Sequence, residues 1–332
     1  MKLKYWSFAS ALAVVFLSSC QPKPAPKRAV ADYVDELIED RYAHGHQLLA
    51  SFDLRNPAGD IVVFGPSDEV RSMTLALLSS DRFDNVDARP VRDLLPDFSG
   101  EVITQAVMSD PEVLAGYVSD EGASLRELTV RAVLTSLDTL SYRTPSDLSS
   151  FSHKSRGKVV VMTSSAMAAY GKYDVDSLMR AFGLGSTVFF PFELMADKAL
   201  SRTESRIGIV SDKPQALYDE YFRYRDDARS HYIGTFSREA VLDSLSNLAD
   251  SLALDVLLLD DPSVPADSLR GRFPKVEVID PAGVTAEACY RAMRSRNIFT
   301  HRVAYPRWAA YSAVPAEDLQ YILIDSDDRE HL

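Results

Sequence analysis

Asp60-Ile61-Val62-Val63-Phe64 runs directly into Gly65-Pro66-Ser67-Asp68-Glu69. The first five residues form an apolar run of strand length without polar alternation, the pattern of a strand buried on both faces. The next five supply a turn and a helix start, after which Val70, Met73, Thr74, Leu77 and Leu78 recur at helical spacing. A strand–turn–helix unit of this kind predicts a parallel sheet covered by helices. Lys158-Val159-Val160-Val161-Met162-Thr163 repeats the pattern and leads through Ser164-Ser165 into a helix of small residues.

From Arg206 the same unit becomes regular. Strands are expected at Ile207–Val210, Tyr232–Thr235, Asp255–Leu259 and Val276–Ile279. They alternate with helices at Gln215–Tyr224, Ser237–Leu252, near Asp267 and at Thr285–Arg296. In the second of these helices Val241, Leu245, Leu248 and Leu252 form one stripe. Upstream, Val86–Val91 and Thr187–Phe190 read as further strands, the latter followed by a helix from Phe192 to Leu200. Residues 100–157 read as a helical insertion, with a long helix from Ser124 to Leu140 and a loop from Ser141 to Gly157. The fold class is therefore α/β: two doubly wound, mainly parallel, Rossmann-like domains with a cleft between them. Their expected bounds are 31–203 and 204–332. A last strand at Leu319–Asp325 either returns to the first domain or pairs at an edge.

Residues 31–49 open with an amphipathic helix, Val34, Leu37 and Ile38 against Asp32, Asp35, Glu36 and Glu39, interrupted by His44-Gly45-His46. Two histidines two apart diverge on a helix, and no third ligand is near in sequence, so no metal site is expected.

The N-terminus carries an address. Lys2 and Lys4 precede an apolar run from Tyr5 to Phe16, too short to span a bilayer, and the run ends in Leu17-Ser18-Ser19-Cys20. This ending resembles the bacterial lipoprotein signal, or lipobox. The resemblance implies a signal peptide over residues 1–20, acylation of Cys20 (the palmitate class of anchor) and a cell-envelope location; the non-acidic Gln21 after the cysteine points to the outer membrane facing the periplasm, with the inner-membrane face left open. Residues 21–30, rich in proline, read as a semi-rigid tether.

Composition narrows the function. Loss of residues 1–19 removes Lys2 and Lys4 but no acid, leaving 34 basic against 48 acidic side chains. Outside the tether there is no Lys/Arg cluster to hold a phosphate backbone, which excludes nucleic acid as a partner. Cys20 and Cys289 are the only cysteines. With Cys20 acylated, neither a disulfide nor a cysteine zinc site can form. No G-x-G-x-x-G, P-loop or G-x-S-x-G pattern occurs, so no nucleotide cofactor and no serine nucleophile is assigned.

In open parallel sheets ligands bind beyond the carboxyl ends of the strands. Those ends carry Ser67 and Asp68, Thr163, Ser164 and Ser165, Ser211 and Asp212, Asp260 and Asp261, and Asp280. Each can cap a helix, a contribution of about 1 kcal/mol; together they can line a site for a polar ligand. Arg307 and Trp308, in an aromatic and basic crossover from His301 to Pro315, add a guanidinium and a stacking face. The candidate ligand-binding residues are these strand-end groups other than Asp280, with Arg307 and Trp308.

The order of parts, a lipobox, a tether and two α/β halves, looks like a type I periplasmic substrate-binding protein. That resemblance implies a hinge, an enclosed small polar solute and no covalent chemistry. A second resemblance competes. Asp255-Val256-Leu257-Leu258-Leu259, then Val276–Pro281 and Thr285-Ala286, is similar to the second half of aspartate/glutamate-type amino-acid racemases, which use one cysteine from each half as acid and base. Here Asp260-Asp261 stands at the strand end, and Cys289 falls within a helix, where a small buried residue is expected. A third class is a lipoprotein that docks an envelope protein and encloses no ligand. Solute capture is the leading expectation, catalysis ranks below it so that a non-enzyme is expected, and no catalytic residue is assigned.

Overall fold

The computed structural model describes residues 28–115, 120–144, 151–202, 205–225, 231–241, 253–302, 304–315 and 319–327. Strand β1 (Asp60–Gly65) lies at the heart of the larger sheet, fully buried along its length. Around it lie β2 (Val102–Met108), β3 (Leu140–Tyr142), β4 (Phe151–His153), β5 (Gly157–Met162) and β6 (Val188–Phe189). A second sheet holds β7 (Ile207–Val210), β8 (Tyr232–Phe236), β9 (Val256–Leu259) and β10 (Glu277–Ile279). The chain then comes back with β11 (Arg307–Val314) and β12 (Gln320–Ser326). The helices are α1 (Asp32–Glu39), α2 (His44–Ala50), α3 (Ser67–Leu78), α4 (Ala123–Leu137), α5 (Ser165–Tyr170), α6 (Lys172–Ala181), α7 (Pro191–Leu200), α8 (Gln215–Arg223), α9 (Ala266–Arg272) and α10 (Pro281–Arg296).

The eight-stranded sheet has the order β4-β3-β12-β11-β2-β1-β5-β6, parallel except at β11–β12 and β3–β4. The four-stranded sheet, β10-β9-β7-β8, is parallel throughout. The protein is thus α/β with two mainly parallel sheets. The C-terminal strands pair with β2 and β3, so the final segment belongs to the first sheet.

Alternation along β1 explains its burial. Ile61 and Val63 pack with Val70, Met73 and Leu77 of α3 and with Ala286, Cys289 and Met293 of α10. Val62 and Phe64 face the opposite way into a cluster that also holds Leu125 and Val133 of α4 and Ile207, Ile209, Val256 and Leu258 of the second sheet. The two lobes therefore share one core. Each fully buried Val, Ile, Leu or Phe contributes about 1.5–3 kcal/mol relative to exposure, so their separation would expose much of what holds the chain together.

The amino ends of the strands are closed by buried ions. Lys158 Nζ lies 2.6 Å from a Glu101 carboxylate oxygen, with side-chain exposures of 3 % and 1 %. It also donates to the carbonyls of Pro57 and Ile298, while Glu101 accepts from the backbone of Thr300. Nearby, Thr104 Oγ1 donates to Asp60 at 2.7 Å. Both carboxyls, Glu101 and Asp60, are held above the ordinary carboxylate range chiefly by burial.

Three expectations are corrected here. Val86–Val91 is a loop, not a strand: Asp84 accepts from the backbones of Val86 and Asp87 and Asp87 from Arg89, so side chains turn the chain at each step. Residues 100–157 are not a helical insertion, since they hold β2, β3 and β4 besides α4. Arg307 and Trp308 are not in an irregular crossover; they open β11. Of the helix expected from Ser237, residues 238–241 are helical; Leu245, Leu248 and Leu252 lie outside the described residues. His44-Gly45-His46 begins α2, with His44 bonded to Asp138 and His46 to the Leu37 carbonyl.

Candidate functional site

The carboxyl ends of β1, β5, β7 and β9 converge where the two sheets meet, around a small cleft of about 30 Å³. Glu69, Ser72, Met73 and Thr163 line it from the first lobe, and Asp260, Asp261 and Pro262 from the second. Pro191 and Pro281, at the starts of α7 and α10, complete the wall with Ala282.

The strands meet closely because Gly65 ends β1. Its φ is +152°, and a Cβ there would lie 2.2 Å from Thr163 Oγ1. Without that side chain Thr163 sits against the strand, its backbone N–H and its hydroxyl both donating to the Phe64 carbonyl.

Beside the cleft is a polar cluster joining both lobes. Lys213, two residues beyond Ser211 at the end of β7, reaches across to the first lobe. Its Nζ donates to Glu69 Oε1 at 2.8 Å, to Ser165 Oγ at 2.8 Å and to Asp260 Oδ2 at 3.1 Å. Asp260 also accepts from the buried Tyr218 hydroxyl at 2.5 Å, and that hydroxyl lies 2.7 Å from Ser211 Oγ. Asp261 Oδ1 accepts from the backbone and hydroxyl of Ser263. Two carboxylate oxygens, Glu69 Oε2 and Asp261 Oδ2, are buried without a hydrogen-bond partner.

Charge and burial set the protonation states. Burial pushes the Glu69 carboxyl above its ordinary range; the Lys213 ammonium opposes this and the Asp260 charge adds to it. Burial alone would lower Lys213, but Asp260 and Glu69 outweigh it and hold the ammonium above the usual lysine value. Burial and the adjacent Asp260 charge push the Tyr218 phenol far upward, so it stays a donor.

The strand-end residues divide. Thr163, Asp260 and Asp261 line the cleft, and Ser165 and Ser211 belong to the cluster behind it. Ser164 caps α5, accepting from the backbone of Met167. Asp280 caps α10 and pairs with Arg270. Ser67 and Asp68 are exposed in the first turn of α3, one helical step short of Glu69, and the exposed Asp212 accepts from the Arg238 backbone. Arg307 and Trp308 are set apart: they pair with Val102 and Ile103 at the opening of β2, the opposite end of the sheet from the cleft. Trp308 donates its backbone N–H to Asp327. Sequence reasoning missed Glu69, Lys213 and Tyr218. A signal existed for the first two, since a Glu at the third helical position and a Lys two beyond a strand-end Ser both sit at carboxyl ends of strands.

Cys289 has no place in this chemistry. It is buried in α10 behind the sheet, and burial pushes its thiol up to about 12. Among the described residues no group of three or more His, Cys, Asp or Glu could hold a metal ion, and no helix is long and apolar enough to cross a membrane.

No family model and no curated protein matches the sequence. Solved structures do. A glutamate racemase from Thermus thermophilus, in complex with beta-chloro-D-alanine, is 16% identical over 79% of this chain and 90% of its own, with a TM-score of 0.48. A glutamate racemase from Francisella tularensis in complex with D-glutamate is 10% identical, covering 79% and 91%, also at 0.48. The maleate isomerase Iso from Pseudomonas putida S16 is 13% identical, covering 71% and 92%, at 0.38. These are likenesses of fold, and the structures named are racemases and an isomerase rather than substrate-binding proteins. The expected likeness to periplasmic substrate-binding proteins is corrected accordingly. The lipobox and all of the tether but its last three residues lie outside the described residues.

Proposed function

We propose that this chain is an acid–base enzyme of the racemase and isomerase kind, in which carboxylates do the work that thiols do in aspartate/glutamate-type racemases. The observation that supports it is the pair of unpartnered carboxylate oxygens, Glu69 Oε2 from the first lobe and Asp261 Oδ2 from the second, on residues lining one cleft. Inversion at a carbon needs one group to remove a proton and a second, on the other side, to return one. Glu69, raised by burial, is suited to carry the proton as the acid, and Asp261 to accept one as the base. Thr163, whose hydroxyl is tied to the Phe64 carbonyl, orients. Lys213, itself bound to Asp260 and Ser165, holds Glu69, and Ser263 holds Asp261.

The reaction class is proton exchange at a carbon made acidic by a neighbouring carbonyl. Incubation of the protein in D2O with a panel of small carbonyl compounds, followed by proton NMR, tests it. Loss of the signal of one α-proton, with catalysis abolished in Asp261→Asn, is the expected result. A panel with no exchange above the protein-free rate overturns the reading.

A further inference from the structure

The site's own lysine shows what it is built to bind. Three acceptors, Glu69 Oε1, Ser165 Oγ and Asp260 Oδ2, surround Lys213 Nζ at 2.8–3.1 Å, one for each ammonium proton. This cradle adjoins the cleft, which Glu69 and Asp260 also line, and the two carboxylate oxygens on Glu69 and Asp261 remain unpartnered there. The cleft is lined by three carboxyl groups, Glu69, Asp260 and Asp261, against the one ammonium of Lys213, and even with the proton on Glu69 the two aspartates leave an excess of negative charge that repels an anionic ligand. The wall gives little relief. Helix starts ordinarily receive anions through their free N–H groups, but α7 and α10 bordering the cleft begin with Pro191 and Pro281, which removes one donor from each, and the Gly283 N–H of α10 is taken by Asp280. At about 30 Å³ the cleft has room for no more than a water or two, so a ligand must move something, and Lys213, on a flexible stem, is the group whose three hydrogen bonds an incoming ammonium can replace one for one.

We propose that the substrate carries a primary ammonium that takes over the Lys213 cradle, and that its activating carbonyl is uncharged, as in an α-amino amide, ester or lactam. This rests on the acid–base reading for the carbonyl, whereas the ammonium site stands on the cradle alone. Lys213 is then a tethered stand-in that keeps the carboxylates satisfied until substrate displaces it. A carboxylate or dicarboxylate is the wrong ligand for these walls.

Thermal shift and calorimetric titration with alaninamide, alanine and succinate test the inference on the wild-type protein. Alaninamide is expected to bind at least tenfold more tightly than alanine, with no shift from succinate. In Lys213→Ala, whose cradle is vacated, millimolar methylammonium is expected to raise the melting temperature and acetate is not. Equal or tighter binding of alanine or succinate overturns the inference, as does a folded Lys213→Ala protein indifferent to methylammonium. If that variant does not fold, the wild-type ranking decides. Deuterium exchange separates the two readings. Alaninamide that binds without α-proton exchange leaves the ammonium site standing and sinks the enzyme. A dicarboxylate that exchanges does the reverse.

Discussion

Replacing Lys213 with methionine removes the cation shared by Glu69 and Asp260 while keeping the stem's apolar bulk. Loss of one partner from a buried ion pair costs about 3–5 kcal/mol, because the other charge is left behind. Two features place the cost at the low end: the Lys213 side chain keeps 29% exposure, and Tyr218 still donates to Asp260. We expect about 3 kcal/mol at pH 8, a shift of about 1 M in the urea midpoint for a slope of roughly 3 kcal/mol per M. The pH dependence identifies the cause. In the wild type the raised lysine contributes stability that is complete below its unfolded pKa and fades as pH climbs through the folded value. In the variant, Glu69 loses the charge that opposed its rise. A carboxyl with a raised folded pKa is tolerated when protonated and penalised when ionised, so the loss should shrink as pH falls. Urea unfolding at pH 8 and pH 5 should show a deficit smaller at pH 5 by about 1 kcal/mol or more, the value of one pKa unit. Equal deficits at both pH values, or less than about 1 kcal/mol at pH 8, would refute the electrostatic account of the cluster.

Other perturbations probe the frame and the excluded thiol. Gly65→Ala puts a Cβ on Thr163 Oγ1 at a backbone angle few side chains adopt, and chemical denaturation should show a loss of about 2–3 kcal/mol. Cys289→Ala, made in a Cys20→Ser background, should lose about 1 kcal/mol and leave α-proton exchange unchanged, and in the parent of that variant the native thiol should resist Ellman's reagent at pH 8. Lys154, buried with its ammonium on the carbonyls of Ser136 and Asp138, is lowered by burial to about 8. Because its folded pKa lies below the unfolded value, it should add stability as pH rises from about 8 to 10.5, up to about 3 kcal/mol; that rise should be missing from Lys154→Met.

What could be read from the sequence follows from how each segment is buried. Ile207–Val210 and Val256–Leu259 lie inside a parallel sheet, so all four positions of each are apolar and their βα rhythm shows directly. Strand β2 escapes because Thr104 and Gln105 interrupt it, and Thr104 is buried only through its hydrogen bond to Asp60, a partner 44 residues away. Val86–Val91 errs the other way: local β-propensity is overridden by aspartates that turn the backbone. At the site, topology located the right strand ends, whereas side-chain direction decided which residues matter. Ser67 and Asp68 point to solvent and Glu69 inward, a distinction set by helix phase and by the arrival of Lys213 from the other lobe. Arg307 and Trp308 have the chemistry of a binding site, but nothing local in the sequence places them on a strand, and β11 carries them to the far end of the sheet.

In the proposed reaction two carboxylates, one from each lobe, remove and return a carbon-bound proton. The most direct measurement is the rate of solvent deuterium uptake at the α-carbon of the best-bound ligand in wild type, Glu69→Gln and Asp261→Asn. Uptake is expected in the wild type, with a fall of about 10²- to 10⁴-fold in each variant, the usual contribution of a general acid or base, and with binding retained in Asp261→Asn, whose side chain lies outside the ammonium cradle. Uptake that persists within tenfold in Asp261→Asn and Glu69→Gln alike would contradict the proposed reaction.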